Sequence, residues 1–272
     1  MRRTLRSLAV AVATTAALAT AGCGSGAATD TAANPYGLIT PGTLLAATSG
    51  DQPPFSLLEN GEPSGFTIAL NDEVAKRLGL HTEYKQTDTA AAIQGLTARQ
   101  YDMVASGLGI TPEREKSILF AKGEYWSTTA ALTLKAHPVA AMDGLAGKKV
   151  AVITGSVQVA YLKKINGAVA TEFPSQNAAV SALHSGNVDA LLVGGPDAEA
   201  YLKQFDDLAI SAAQPVDHAT TVAFQKGATA LGAAYDAQLE AMVADGTYRR
   251  IYDRWFTQAP LPELLKIWPG LA

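Results

Sequence analysis

The sequence predicts an α/β fold built on open, mostly parallel sheets. Three observations carry that expectation. Short apolar runs alternate with amphipathic stretches, which is the strand–helix–strand rhythm of parallel sheets. The rhythm runs from Thr43 to Ala105, breaks at the long β-prone run Ser127–Lys135, and begins again at Leu145. With 272 residues, 48% hydrophobic and 17% charged, the chain has apolar material for one or two well-buried domains.

Residues 1–22 read as a removable leader. Arg2, Arg3 and Arg6 form a basic start, and Leu8–Ala19 is apolar but too short to span a bilayer comfortably. Thr20-Ala-Gly-Cys23 comes next and resembles a bacterial lipobox, in which a peptidase cuts before a cysteine that receives a diacylglycerol. Thr20 stands where a leucine is usual. Cys23 is the one cysteine, so no intramolecular disulfide forms. Residues 23–41 have no helical or strand period and are expected to be a lipid-anchored flexible tether, reaching on the order of 25 Å. That address is the outer face of a bacterial cell membrane. Without the three leader arginines the net charge moves from −4 to −7. No basic patch with interleaved aromatics remains, which argues against nucleic acid as a partner.

Thr43–Thr48 reads as a buried strand after the Pro41-Gly42 turn. Ser49-Gly-Asp-Gln-Pro-Pro-Phe55 is a loop. Gly65-Phe-Thr-Ile-Ala-Leu70 leads into a helix with Leu70, Val74 and Leu78 inward, closed by Gly79. Thr82–Lys85 is a strand, Ala90–Arg99 a helix, and Tyr101–Ala105 a strand. The next stretch, Ser106-Gly-Leu-Gly-Ile-Thr-Pro-Glu-Arg114, reads as a strand end, a loop and a helix start. Gly107 and Gly109 let a backbone come close to another group. Thr111 suits an N-cap, Pro112 the first helical position and Glu113 the positive first turn. Arg114 then lies beside the loop, where its guanidinium can grip a carboxylate by two parallel hydrogen bonds. Parallel sheets place ligands at the carboxyl ends of strands, and this stretch is such an end.

The second half repeats the pattern. Leu145–Ile153 is a turn and a buried strand, Thr154-Gly-Ser156 opens a helix, and Ala168–Phe173, Ala178–His184 and Val188–Val193 are strand, helix and strand. Thr220–Gly227 is a second crossing strand and Leu231–Met242 an amphipathic helix. Ile251, Tyr252 and Trp255 share one helical face and read as core.

Several of these stretches together resemble the amino-acid-type extracellular solute-binding proteins (family 3), the capture subunits of ABC importers. They are Gly-Ile-Thr-Pro-Glu-Arg114 with Ile118-Leu-Phe120, the Pro-Pro-Phe55 loop, Gly65-Phe, Gly147-Lys-Lys-Val150, Gly186-Asn-Val-Asp-Ala190, and Asp245-Gly-Thr-Tyr…Trp255-Phe256. The resemblance spans about residues 43–256 and implies a type II periplasmic-binding-protein fold. That fold has two α/β lobes joined by two crossover strands, with the ligand in the cleft. Lobe 1 is then expected over 42–126 plus 225–258 and lobe 2 over 134–219, with hinge strands at 127–133 and 220–224. The segment 259–272 is an extension without a counterpart.

The resemblance also implies roles. Arg114 binds the ligand's α-carboxylate, with Ser106, Gly107 and Gly109 beside it and Gly107 a carbonyl acceptor for an ammonium. Gly155 and Ser156 offer amides to an anion from the opposite wall. Four positions depart from the family. Its acid for the α-ammonium falls on Gly194, its aromatics on Gln52 and near Thr89, and a common hydroxyl on Gly109. Either Asp51 or Asp197, close to the vacated positions, supplies the missing counter-charge, or the ligand has no free α-amino group. The expected pocket is roomier and less aromatic than usual and takes a polar, carboxylate-bearing solute.

The partners implied are that solute, an ABC permease and the membrane, with the protein a monomer. The family also includes sensors. A few proteins of this fold resemble cyclohexadienyl or arogenate dehydratases that use a cleft carboxylate as general acid. Glu124, Asp51 and Asp197 are the acids such an activity would call on here. No nucleophile–base motif is visible, and His81, His137, His184 and His218 lack metal-site spacing and read as surface or loop residues. No cofactor is implied.

Overall fold

The chain joins the fold before its first strand. The computed structural model describes residues 34–272. The leader expected over 1–22, the lipidation site Cys23 and the tether as far as residue 33 lie outside the described residues. Residues 34–41, expected to end the tether, are docked instead. The Asn34 side chain bonds both the amide and the carbonyl of Leu38 at 2.9 Å, and Leu38 is buried. The Ile39 amide donates to Asp102 at 2.9 Å. One apolar anchor and one buried carboxylate outweigh the polar composition that suggested a coil.

β1 (Thr43–Thr48) is followed by a small antiparallel ribbon, β2 (Asp51–Gln52), β3 (Ser56–Glu59) and β4 (Glu62–Ser64). α1 (Phe66–Arg77), β5 (His81–Gln86), α2 (Thr89–Thr97) and β6 (Met103–Gly109) complete the first set, with β1 parallel to both β5 and β6. The single turn α3 (Pro112–Glu115) and β7 (Ile118–Phe120) lead to the long β8 (Tyr125–Leu134). The second set is β9 (Lys149–Ile153), α4 (Val157–Leu162), β10 (Val169–Phe173), α5 (Gln176–His184), β11 (Ala190–Gly194) and α6 (Gly195–Leu202). β9 is parallel to β10 and β11. β12 (Leu208–Gln225) returns, and α7 (Thr229–Ala244), α8 (Thr247–Trp255) and α9 (Pro262–Ile267) pack on the first set.

The sheet order is β10-β9-β11-β8-β12-β6-β1-β5. A parallel half lies at each end, and the antiparallel pair β8 and β12 joins them. Because β12 pairs along β8 and then with β6 and β7, backbone bonding is continuous between the halves. The same pairing explains a difference from expectation. Ser106–Gly109 is not a loop but the end of β6, with Thr220 opposite Gly109 and Thr221 opposite Leu108. Pairing with the crossing strand overrides the two glycines.

Each half has its own core, and the two halves form two lobes. Lobe 1 is centred on Phe55, Phe66, Tyr125, Tyr248, Tyr252 and Phe256, whose rings meet edge-on or stacked at 4.4–6.4 Å between centroids. Tyr252 is buried as expected, with Ile251 and Trp255 partly so. The C-terminal extension belongs to this core. Leu264, Trp268 and Leu271 are buried, and the Trp268 indole donates to the Gly123 carbonyl at 2.6 Å. Lobe 2 packs Leu132, Leu183, Leu191, Val193 and Tyr201 on one sheet face and Val150, Val152, Leu162 and Leu192 on the other.

Glu124 is buried in lobe 1. The Tyr235 hydroxyl donates to one of its carboxylate oxygens at 2.9 Å, and the other has no partner among the described residues. Burial pushes its pKa up to about 8, against the Tyr235 hydrogen bond and with a small push from Asp236. A raised carboxyl pKa stabilises the fold while the group is protonated. That contribution is complete below the ordinary carboxylate value and is lost as pH rises towards about 8. Glu124→Gln keeps the shape without the titration. Its melting temperature is expected to gain on the parent's by on the order of 5 °C between about pH 5 and about pH 8. Parallel melting profiles for the two proteins would contradict this.

Candidate functional site

The carboxyl ends of β1 and β6 face those of β9, β10 and β11 across a cleft. Lobe 1 contributes Asp51, Gln52, Phe55, Thr89, Ser106, Gly107, Gly109 and Arg114. Lobe 2 contributes Ser156, Val157, Gln158, Gln176, Gly194 and Asp197, and the crossing strands supply Ser127, Thr128, Val216, His218 and Thr220. The cavity between them is ≈ 90 Å³, space for several waters at about 10–15 Å³ each or for a small solute.

Arg114 stands where the motif places it. Thr111 caps the turn by accepting from the Arg114 amide at 3.3 Å, with Pro112 behind it. The guanidinium reaches across the cleft. Its Nη1 donates to the Gly109 carbonyl and its Nη2 to the Gly155 carbonyl of lobe 2, both at 2.6 Å. Among the described residues it pairs with no carboxylate. Burial without a counter-ion pulls its pKa down to about 10, so at neutral pH it is a charged group facing the cavity without an anion.

Gly155 has φ +77, and a Cβ there would lie 3.2 Å from Ala90 Cβ at the start of α2. The missing side chain lets the lobes meet. The expected pair of amides is corrected here. In the tight turn after β9 the Ser156 amide donates to the Ile153 carbonyl at 2.9 Å, and Gly155 presents its carbonyl to Arg114. Gly155 lies at the rim, in the adjoining groove, and not among the residues lining the main cavity. Ser156 offers a hydroxyl instead, buried and without a partner among the described residues.

The acids divide. Asp51 reaches from lobe 1 to the start of α5, where the Gln176 amide donates to it at 2.7 Å and the Asn177 amide supports it. It fills the position of an anion at a helix N-terminus. Burial raises its pKa and those amides oppose the rise. Asp197 is on the opposite wall, 1% exposed. Its Oδ1 accepts from Gln176 Nε2 at 2.8 Å, and Tyr201 donates to Gln176 Oε1 at 3.0 Å. Its Oδ2 lies only 2.5 Å from where a Cβ on Gly194 would be. The carboxylate of Asp197 therefore occupies the space of the side chain that Gly194 lacks. Burial pushes its pKa up to about 7, against the Gln176 hydrogen bond, and no cation pairs with it among the described residues.

Of the remaining expected residues, Gln52 and Thr89 line the cavity, Thr89 at the first turn of α2. The Ser106 hydroxyl is engaged, accepting from the Ser49 amide at 3.0 Å. Gly107 has φ +58 and packs its backbone on the Phe55 ring. Glu124 is in the lobe 1 core and lines no part of the cleft, which removes it as a catalytic acid.

Several lining residues were not anticipated, Thr128, Gln158 and Thr220 among them, and two others shape the site. Gln176 holds both acids at once, and its only signal was the helix-start position. His218 was expected at the surface but lines the cleft, with Asp217 3.0 Å from its Nδ1. Its Nε2 fills the space where a side chain on Gly109 would begin, which accounts for the glycine there. Among the described residues no group of three potential metal ligands occurs.

The geometry can be set beside known proteins. The family profile of the bacterial extracellular solute-binding proteins, family 3, matches residues 44–258. The lysine/arginine/ornithine-binding periplasmic protein of Escherichia coli is 30% identical over 239 residues, 83% of this chain and 92% of that one. The arginine-binding extracellular protein of Bacillus subtilis is 29% identical over 220 residues, 79% of this chain and 86% of its own. Among solved structures, an ancestral arginine-binding protein bound to glutamine is 33% identical with a TM-score of 0.77, covering 80% of this chain and 100% of that one. The arginine-, lysine-, histidine-binding protein of Geobacillus stearothermophilus is 26% identical with a TM-score of 0.77, covering 83% and 99%. All four are binding proteins by name, and the two solved structures have the type II periplasmic-binding-protein fold. The profile match over most of the chain, on a fold whose two lobes face a guanidinium and a carboxylate across one cleft, places the protein among the bacterial extracellular solute-binding proteins of family 3.

Proposed function

We propose that the protein captures an α-amino acid between its lobes and delivers it to an ABC permease. The observation that carries this reading is Arg114, a cation held in the cleft with no carboxylate partner among the described residues. An α-carboxylate entering there finds the guanidinium and the free Ser156 hydroxyl. Asp197 on the other wall takes the α-ammonium, in place of the acid that Gly194 lacks. The relatives from Escherichia coli and Bacillus subtilis bind amino acids, which supports the same class. Lobe 1 (42–126 plus 225–258, with 259–272 packed on it) and lobe 2 (134–219) swing about 127–133 and 220–224. A ligand gripped from both walls favours the closed arrangement, because only there are both contacts made. Cys23 would carry the lipid that holds the monomer at the outer face of the membrane.

The test is a thermal shift of the purified protein against single amino acids and simple carboxylates. A true ligand at a hundredfold excess over Kd raises stability by about 2.7 kcal/mol, a shift readily measured. Shifts with simple carboxylates and none with amino acids would retain Arg114 and reject the ammonium partner. No shift with either would reject the reading.

A further inference from the structure

We infer that the amino acid taken by this cleft has an uncharged, polar side chain. This rests on the proposed amino-acid capture and comes from counting the charges that the cleft can balance. A zwitterionic head requires one cation and one anion, which are Arg114 and Asp197. A positive side chain requires a further carboxylate or flanking aromatic faces. Among the described residues lining the cavity the other carboxylate is Asp51, and it is already engaged. It accepts the Gln176 amide at 2.7 Å at the first turn of a nine-residue helix, bridging the two lobes. Turned toward a ligand, it would leave that amide unpaired and undo a contact that keeps the cleft shut.

Aromatic faces are equally scarce. Among the described residues the aromatic rings lining the cavity are the Phe55 phenyl, buried in the lobe 1 cluster 5.3 Å from Tyr125 between centroids, and the His218 imidazole, whose Nδ1 lies 3.0 Å from Asp217. Gln52 and Thr89 stand where the family pattern has rings. A negative side chain is no better matched, because Arg114 is the only arginine or lysine lining the cavity among the described residues and the head group takes it, while His218 already has the Asp217 carboxylate 3.0 Å from its Nδ1. What remains is the chemistry of Gln52, Thr89 and Gln158, amides and a hydroxyl that pair with a neutral polar group.

Calorimetric titration with glutamine, serine, glutamate, arginine and lysine tests this. A neutral polar member is expected to bind best, with arginine, lysine and glutamate weaker by at least about thirtyfold. Arginine, lysine or glutamate matching the best neutral ligand overturns the inference and leaves the amino-acid reading intact. No binding by any of them overturns both. A second arm uses Gln52→Glu, which adds a carboxylate at nearly constant shape. It is expected to raise the ratio of arginine to glutamine affinity by about tenfold or more. An unchanged ratio would mean that charge does not set the selectivity, and would overturn the argument.

Discussion

Arg114→Ala is expected to weaken amino-acid binding by about thirtyfold to several thousandfold, the range for removing one partner of a buried, hydrogen-bonded charge pair. The loss has two parts. The ligand's carboxylate would enter the cleft without a cation, and the lobes would lose one of the contacts that join them. In the proposed reading Arg114 is the anion site, and it is also a strap between lobes, since its two terminal nitrogens reach Gly109 in one lobe and Gly155 in the other. Arg114→Lys keeps the charge but not the planar fork, so it cannot span both carbonyls and receive a carboxylate; a loss of at least about tenfold is expected. Calorimetry reads the affinity, and small-angle scattering of the ligand-free variants reads the separation of the lobes. If Arg114→Ala binds within a few-fold of the parent, the head-group assignment is wrong.

Asp197→Asn should cost nearly as much, but selectively. Ligands with a free α-ammonium are expected to lose about thirtyfold or more, while N-acetylated relatives change little. The pH dependence separates this from a packing defect. With no ligand bound, burial holds the Asp197 carboxyl up at about 7. That raised value favours the protonated acid in the empty cleft, so the stability it confers is present at low pH and lost as pH climbs through about 7. An ammonium requires the ionised form. Affinity should therefore fall as pH drops below about 7, by up to about tenfold per unit, and Asp197→Asn should flatten that slope. Moving the acid back offers a rescue. Because a Cβ at Gly194 meets Asp197 Oδ2 at 2.5 Å, Gly194→Asp alone must collide, whereas combined with Asp197→Ala it has room. Recovery of ammonium-dependent binding in the double variant is the expected result; a pH slope that survives in Asp197→Asn would point to another group.

Much of this was legible in the sequence where a residue's role is set by its near neighbours. The strand–helix rhythm shows in the spacing of apolar residues, and Thr111, Pro112 and Arg114 are a cap, a first-turn proline and a guanidinium within one turn of backbone. Gln52, Thr89 and Gly194 were placed at the site by counting from the motifs of the family that the sequence resembles, and Asp197 by its nearness to those positions; all four line the cavity. What was not legible depends on contacts between distant segments. Gln176 matters because lobe 1 brings Asp51 to its amide, 125 positions away. His218 enters the cleft through an irregular stretch of β12 between Pro215 and Ala219, where the register with β8 shifts. The Ser156 amide could not be known to be engaged until the turn after β9 was seen. Residues 34–41 looked like linker because Tyr36, Leu38 and Ile39 show no helical or strand period, and the pocket and the carboxylate that hold them are built by later parts of the chain.

The way the last helix sits in lobe 1 has a consequence for how the chain is made. Lobe 2 draws its buried core from Ala130 to Leu208, one continuous stretch, whereas the lobe 1 core includes residues from Leu38 to Leu271. A nascent chain emerges N-terminus first, so the second-synthesised lobe is the first able to close. Phe55 and Phe66 must wait for Tyr248, Phe256 and Trp268. At about 5–20 residues per second that interval is on the order of ten to forty seconds. Through all of it the N-terminal segment has no finished core to fold into, and a chain in that state is the one able to thread a narrow membrane channel.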